Sequence, residues 1–179
     1  MVIESNGEKH QRRHSRFWRR WLTRRLINRL RKGSVETRTY ILQALGKIGD
    51  EGAFPVIINA AGDANSTIRR FAISALADLG DSRAIDTLIG ALDDPEADIR
   101  SAAVMALGSF GDERVENVLI ALLNDKDTSV RAQAIISLGH LGSIQAVPML
   151  KQIMDNESNE WMRRYISQSI REIEGGFAS

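Results

Sequence analysis

The stretch that decides the fold runs from Asp94 to Asp112 and reads DPEADIRSAAVMALGSFGD. Asp94 and Pro95 are a typical helix start, because an Asp side chain caps free N–H groups and Pro is tolerated in the first turn. Apolar residues then recur every three or four positions up to Phe110, which indicates one buried helix face. Gly111 is expected to end the helix in the left-handed conformation, and Asp112 to cap a second helix.

The same pattern returns along the chain with a period of 31 residues. Several residue types share this spacing, which is a strong sign of an internal repeat. Each unit reads as two amphipathic helices that cannot bury their apolar faces alone, so neighbouring units must stack. The predicted fold class is therefore an all-α solenoid of antiparallel helix pairs. The repeated columns are Arg38, Arg69, Arg100 and Arg131; Gly49, Gly80, Gly111 and Gly142; Leu45, Leu76, Leu107 and Leu138; and Asp63, Asp94 and Asp125.

The repeat frame sets the predicted domain limits. A single repeat domain is expected at 16–174, after a basic, disordered tail at 1–15 and before a short tail at 175–179. Its first part is a half-repeat cap, because Leu26 and Leu30 lie two periods before Leu88 and Leu92. The predicted segments are the cap at 16–33, repeats near 34–62, 63–93, 94–124 and 125–155, and a closing helix within 156–174. The predicted helices span 16–31, 35–48, 52–61, 65–79, 82–92, 95–109, 113–123, 127–140, 144–154 and 159–173.

The units from Asp94 to Asp112 and from Asp125 to Gly142 resemble HEAT-like repeats of the short phycobilin-lyase type, and the resemblance covers residues 20–174. It implies a right-handed superhelix whose second helices line a concave face. The family includes subunits that attach or remove bilins on phycobiliproteins, phycobilisome-degradation factors and many binding proteins. Deoxyhypusine hydroxylases have similar repeats and bind iron through His-Glu pairs. No His in this chain is followed by Glu, so nothing carries that metal site over.

Composition and motifs remove several classes of function. The chain of 179 residues has no Cys, which excludes disulfides and thiol catalysis and fits a reducing, cytoplasmic location. It has no apolar run near the ~20 residues that span a bilayer. No P-loop, nucleophile elbow or zinc-protease motif is present. The sequence thus favours a non-catalytic protein without a cofactor or a metal.

Charge is distributed very unevenly. Residues 1–33 hold 11 Lys/Arg and 2 Asp/Glu, whereas residues 34–179 hold 13 Lys/Arg and 21 Asp/Glu, so the net charges are +9 and −8.

The repeated Arg column could be a track that binds phosphate groups. Its register near each first-helix start favours a structural role instead, because each guanidinium reaches an Asp or a loop carbonyl of its own or the adjacent repeat.

The stretch 12–32, RRHSRFWRRWLTRRLINRLRK, holds most of the positive charge. On a helical wheel its Trp and Leu residues share one face and most of its Arg residues another. A cap helix would place the apolar face on the first full repeat, yet solubility alone needs fewer Arg. Aromatic residues with Arg are typical of binding surfaces. The candidate binding residues here are Arg13, Arg16, Trp18, Arg20, Trp21 and Arg24.

Second-helix positions that point away from the apolar stripe are further candidates for a concave contact surface, namely Asn59, Asp86, Asn117 and Gln152. The favoured function is a scaffold that binds a protein partner with an acidic surface. One alternative, implied by the resemblance alone, is a bilin lyase or lyase-like subunit with a phycobiliprotein as its partner. Another is an adaptor for an anionic membrane or nucleic acid, since both attract basic helices.

Overall fold

The structure is a computed structural model that describes residues 6–175, with side chains over 17–112 and 114–175. Residues 6–175 contain helices and turns but no strand. The fold is the predicted one, an all-α solenoid of stacked helix pairs. The α-helices of this range are α1 Asn6–Leu30, α2 Val35–Ile48, α3 Phe54–Ala61, α4 Ser66–Leu79, α5 Ile85–Gly90, α6 Ala97–Leu107, α7 Glu113–Ala121, α8 Thr128–Leu141, α9 Val147–Asn156 and α10 Glu160–Gly175.

The chain divides into two compact units, one ending at Asp81 and the other beginning at Ser82. The first unit holds α1 to α4, and the second holds α5 to α10. The boundary falls between the two helices of the predicted repeat at 63–93. One continuous domain over 16–174 remains a prediction.

In the first unit α2 and α4 pack side by side, while α1 packs on α2 and α3 packs on α4. The apolar residues of these helices recur at helical spacing and meet in one core. Burying each such side chain contributes about 1.5–3 kcal/mol. The fully buried members are Ile41, Leu42, Leu45, Ile57, Ile73 and Leu76.

The second unit repeats this arrangement. Helices α6 and α8 pack together, α8 packs on α10, and α5, α7 and α9 each cover one of them. Its core is again aliphatic, as the scarcity of aromatic residues in the sequence indicates. Its fully buried members include Leu88, Ile99, Val104, Leu107, Val115, Leu119, Val130, Ile135, Leu138, Leu150 and Ile166.

Helices α2 and α4 approach each other closely at Gly46. A Cβ atom placed there would lie 2.9 Å from the Cα and 3.0 Å from the carbonyl oxygen of Ala75. Backbone atoms cannot move aside as the end of a flexible side chain does. The small residue at this position is therefore part of the architecture.

The predicted helix start at Asp94 and Pro95 is wrong, because α6 begins at Ala97, after Glu96. The Asp94 carboxylate instead accepts a hydrogen bond from the Glu96 N–H in the preceding turn.

Other helix ends carry local capping signals. Side chains of Ser34, Asn65 and Asp127 accept hydrogen bonds from N–H groups of the first turns of α2, α4 and α8. Gly49 and Gly142 end α2 and α8 with φ of 65° and 67°. That left-handed conformation strains any residue with a Cβ atom, which explains this glycine column.

The prediction for Gly111 is wrong. It is absent from the positive-φ residues of the described chain, and α6 ends earlier, at Leu107. The Ser109 hydroxyl donates to the carbonyl of Ala106 at 2.6 Å, and the Phe110 N–H donates to that of Leu107. The serine side chain thus supplies a local alternative to the helical hydrogen-bond pattern. Asp112 caps α7 as predicted, because its carboxylate accepts from the Arg114 N–H at 2.9 Å.

Two further helix limits differ from the predictions. Helix α1 begins at Asn6 rather than at residue 16, because no Gly or Pro interrupts residues 8–32. The predicted second helices are partly 3₁₀. The sequence did not predict this, because apolar periodicity does not distinguish i+3 from i+4 hydrogen bonding. Residues 1–5 and 176–179 of the predicted tails lie outside the described residues. The 3₁₀ turns are Glu51–Ala53, Ser82–Ala84, Ala91–Asp93, Leu122–Asn124 and Ile144–Ala146.

Candidate functional site

The Arg column is structural, as predicted. Nη1 of Arg100 donates to the carbonyl oxygens of Asp94 at 2.9 Å and Pro95 at 3.2 Å. Nη1 of Arg131 makes the equivalent bonds to Asp125 at 2.9 Å and Lys126 at 3.3 Å. Each guanidinium therefore holds the loop that leads into its own helix.

The same guanidinium also reaches the next repeat. Nε and Nη2 of Arg100 donate to the two carboxylate oxygens of Asp125, each at 3.1 Å, and Arg100 is only 4% exposed. Arg38 forms the corresponding ion pair with Asp63 in the first unit. Burial raises the pKa of Asp125, but hydrogen bonds from Arg100 and the Asp127 N–H outweigh it, so that pKa lies below its ordinary value. These groups bind each other and leave little capacity for a phosphate ligand.

The four second-helix residues predicted to form a contact surface are exposed, and among the described side chains no hydrogen bond or ion pair joins one of them to another. Asn59 lies on α3 in the first unit. In the second unit Asp86 on α5 accepts from Nη1 of Arg114 on α7 at 3.0 Å, in an exposed ion pair. Asn117 on α7 is exposed, and Gln152 on α9 lines a shallow cavity. Their role in a contact surface remains a prediction.

Helix α1 leaves part of its apolar face uncovered. Leu30 is buried and Leu26 is half-buried against α2, as a cap helix requires. By contrast Trp18, Trp21 and Leu22 are 59%, 45% and 40% exposed. The expected packing of the apolar face on the first repeat therefore holds at Leu26 and Leu30 but not at the N-terminal part of the face.

The cause is the difference in helix length. At 1.5 Å per residue, α1 with 25 residues is about 37 Å long, whereas α2 with 14 residues is about 21 Å long. The two helices are antiparallel, since Leu22 lies near Ile48 at the end of α2 and Leu26 lies near Thr37 at its start. The N-terminal part of α1 consequently extends past the helix that would cover it.

The exposed part of α1 forms one basic–aromatic surface, made of Phe17, Trp18, Trp21 and Leu22 with the cations that flank them. The Trp18 and Trp21 rings stack edge to face, with centroids 5.6 Å apart and planes at 81°. The guanidinium of Arg25 lies 5.3 Å from the Trp21 ring centroid. These contacts hold the indole rings in defined positions.

The cations of this surface are not balanced by acidic residues of the same stretch. Residues 17–32 hold seven Lys/Arg and no Asp/Glu. Within the residues whose side chains are described, none of these seven takes part in an ion pair. They include the predicted Arg20 and Arg24, both exposed. The predicted Arg13 and Arg16 lie outside the described side chains.

A cavity of 320 Å³ opens between α1 and the end of α2. Its walls are the side chains of Trp18, Trp21, Leu22 and Ile48, and Arg19 and Lys47 stand beside them. Sequence reasoning missed Lys47 and Ile48, because they belong to the next repeat in the chain. Aligning α1 antiparallel to α2 from their predicted ends would have placed them beside Trp18 and Arg19.

The sequence matches the HEAT-repeat family over residues 23–108 and again over 89–171. No curated protein matches it. Its fold is similar to that of the CpcE–CpcF complex of phycocyanin lyase from Nostoc sp. PCC7120, with a TM-score of 0.69, 24% identity, and coverage of 82% of this chain and 96% of that one.

Two other solved structures have a similar fold. One is a designed armadillo repeat protein in complex with the peptide (KR)4, with a TM-score of 0.64, 17% identity, and coverage of 83% and 80% of the two chains. The other is human deoxyhypusine hydroxylase, with a TM-score of 0.51, 15% identity, and coverage of 86% of this chain and 74% of that one. These comparisons confirm at the level of fold the predicted resemblance to repeats of the phycobilin-lyase type. With the two family matches spanning most of its length, the chain belongs to the HEAT-repeat family.

Proposed function

We propose that this protein is a non-catalytic scaffold that binds a partner protein with an acidic surface. The observation that supports this most is the basic–aromatic surface of α1, where exposed indole rings lie among cations that form no ion pair with any described side chain. Trp and Arg provide large contact area and paired hydrogen bonds, and together they dominate many protein interfaces. The exposed second-helix position Asn59, which lies in the same unit, would extend the contact.

A protein fits this surface better than a nucleic acid. A bound nucleic acid needs a continuous basic track, because affinity rises with each phosphate neutralised. Residues 34–179 carry a net charge of −8, so the positive region is short. Carboxylates on the surface of a folded protein can be bound by a short basic region of this kind.

A protein also fits it better than a membrane. Helices that lie on a bilayer insert a convex apolar ridge between the lipid headgroups. Here Trp18, Trp21 and Leu22 border a cavity with Ile48 instead of forming a ridge. A concave apolar surface suits a protruding side chain of a protein. Among the described residues, no helix has the length and hydropathy needed to cross a membrane.

Capture from lysate of the native cell tests this proposal. The full chain is compared with a variant in which Arg19, Arg20 and Arg24 are replaced by Glu. A matched control carries three reversals of exposed cations in the second unit, at Lys151, Arg164 and Arg171.

We expect the full chain and the control to retain a protein that the α1 variant loses. Retention should survive nuclease and detergent and weaken with salt, because the contact is electrostatic. Equal capture by all three proteins would reject the basic–aromatic surface as the docking site. Loss of capture after nuclease or detergent would instead favour nucleic acid or membrane.

The similarity in fold to the CpcE–CpcF complex favours a second candidate, a lyase-like subunit that acts on a phycobiliprotein. Only the fold supports it, since identity is 24%. Incubation with a bilin and an apo-phycobiliprotein tests it directly. A coloured covalent adduct would support this candidate, and its absence would leave the scaffold.

A further inference from the structure

The cavity between α1 and the end of α2 indicates which kind of acidic partner the protein takes. We infer that it receives one bulky apolar side chain from a short segment of the partner, with Asp or Glu residues on both sides of that side chain. This inference rests on the proposed function, because it names the chemistry of the segment that docks on the basic–aromatic surface.

The size and lining of the cavity support an apolar anchor. Its 320 Å³ lies at the small end of the about 300–1,000 Å³ of typical ligand sites, so it suits a side chain better than a large cofactor. Indole rings of Trp18 and Trp21 and the aliphatic groups of Leu22 and Ile48 form its walls. Buried apolar anchors in such pockets provide much of the affinity of an interface.

Ring contacts set the position of the Trp21 side chain at the anchor site. Trp21 is held by the Trp18 ring on one side and by the Arg25 guanidinium on another. A rigid aromatic wall loses little conformational freedom when a ligand binds. The cavity therefore needs no large rearrangement to accept a side chain.

The charges beside the cavity support acidic flanks. Arg19 on α1 and Lys47 on α2 both line it, and both are exposed. Neither takes part in an ion pair with any residue whose side chain is described. Carboxylates on either side of the anchor would meet these cations, and the next ones along α1, such as Arg20, would extend the pairing.

Fluorescence anisotropy with labelled synthetic peptides tests the inference on the full chain. The first peptide has one leucine between two runs of glutamate. The second has serine in place of the leucine, and the third has glutamine in place of the glutamates. An anionic vesicle of phosphatidylserine and phosphatidylcholine and a single-stranded oligonucleotide serve as probes for the other classes of ligand.

Two variants and two matched controls complete the test. Trp18→Ala and Lys47→Glu change the cavity, while Trp161→Ala and Lys151→Glu change an equally exposed Trp and Lys in the second unit. Circular dichroism verifies that all four variants fold. Because Trp18 and Lys47 are exposed, their replacement should not disturb the core.

We expect the leucine peptide to bind at least tenfold more tightly than the other two peptides. Trp18→Ala and Lys47→Glu should each weaken it at least fivefold, while both controls stay within twofold. Equal affinity for the leucine and serine peptides, unchanged binding by Trp18→Ala, or tighter binding of vesicle or oligonucleotide would overturn the inference. If capture from lysate still depends on α1 while the peptides show no anchor effect, only this inference falls and the proposed function stands.

Discussion

Arg100 shows how a single residue can serve two repeats at once. Its side chain holds the carbonyls of Asp94 and Pro95 in its own loop and both carboxylate oxygens of Asp125 in the next one. Arg has the planar set of donors that such a site requires, and Lys does not. Contacts between repeats therefore explain the pairs Arg38–Asp63 and Arg100–Asp125, and loop contacts explain Arg131.

Replacing Arg100 with Ala should lower the free energy of unfolding by about 3 kcal/mol, because a carboxylate only 10% exposed and two carbonyls lose their donor. The melting temperature, measured by circular dichroism, should fall accordingly. Arg114→Ala is the control, since its ion pairs with Asp86 and Asp112 are exposed and it should melt like the parent. Equal melting of Arg100→Ala and the parent would refute the structural role.

Asp125 should make stability depend on pH in the acid range. Its pKa in the folded chain lies below the ordinary value of 3.8, so the folded state binds the proton less readily than the unfolded one. The stabilisation is thus complete above about pH 4 and is lost as the pH falls through the lower folded pKa. Urea unfolding across this range should show a shallower loss for Asp125→Asn than for the parent. Identical pH profiles would argue against the ion pair.

Thr23 on α1 has a buried hydroxyl that lacks a hydrogen bond. Its hydroxyl is buried, 2% exposed, and is the one buried side-chain polar atom of the described residues without a hydrogen-bond partner. Thr23→Val should raise the free energy of unfolding by roughly 1 kcal/mol, because it removes an unpaired group at constant shape. Thr39→Val is the control and should bring no gain, since the Thr39 hydroxyl donates to the carbonyl of Glu36. A loss of stability in Thr23→Val would contradict this account.

Among the helices, the pair α2 and α4 depends on a close backbone contact. Gly46→Ala should lower the free energy of unfolding by about 1–3 kcal/mol, because the new methyl group meets the backbone of Ala75. Gly90→Ala is the control, since Gly90 is helical with nothing within 4 Å of its Cβ position and should be neutral or stabilising. Urea denaturation compares the two. A Gly46→Ala chain as stable as the parent would show that the helices separate at no cost.

Helix order and most helix ends follow from the sequence, because caps such as Ser34 and glycines such as Gly49 act locally. Prediction fails where a competing local interaction decides the end, as with the Ser109 hydroxyl before Gly111. It also misses the start of α1, where no breaker marks the boundary and the repeat frame suggested a later one. The first case requires weighing a side-chain hydrogen bond within one turn against the glycine signal, and the second lacks any local signal.

For the molecule as a whole, the repeat columns explain the architecture and the departure from them supports the function. The sequence alone indicated that the N-terminal half-repeat is basic and aromatic. It did not show that Trp18 stays exposed or that Ile48 helps to form a cavity beside it, because both depend on how far α1 extends past α2. The second-helix candidates, with Asn117 among them, are exposed as expected, but no geometry distinguishes them from other surface residues.

The most direct test of the central claim is a charge swap between α1 and its partner, measured by isothermal titration calorimetry. The α1 variant with Glu at positions 19, 20 and 24 should bind the captured partner at least tenfold more weakly than the parent. Replacing acidic residues of the partner's contact surface with Lys should restore much of that affinity for the variant and weaken binding to the parent. Parent-like affinity of the α1 variant, or no rescue by the swap, would contradict docking of an acidic protein on the basic–aromatic surface.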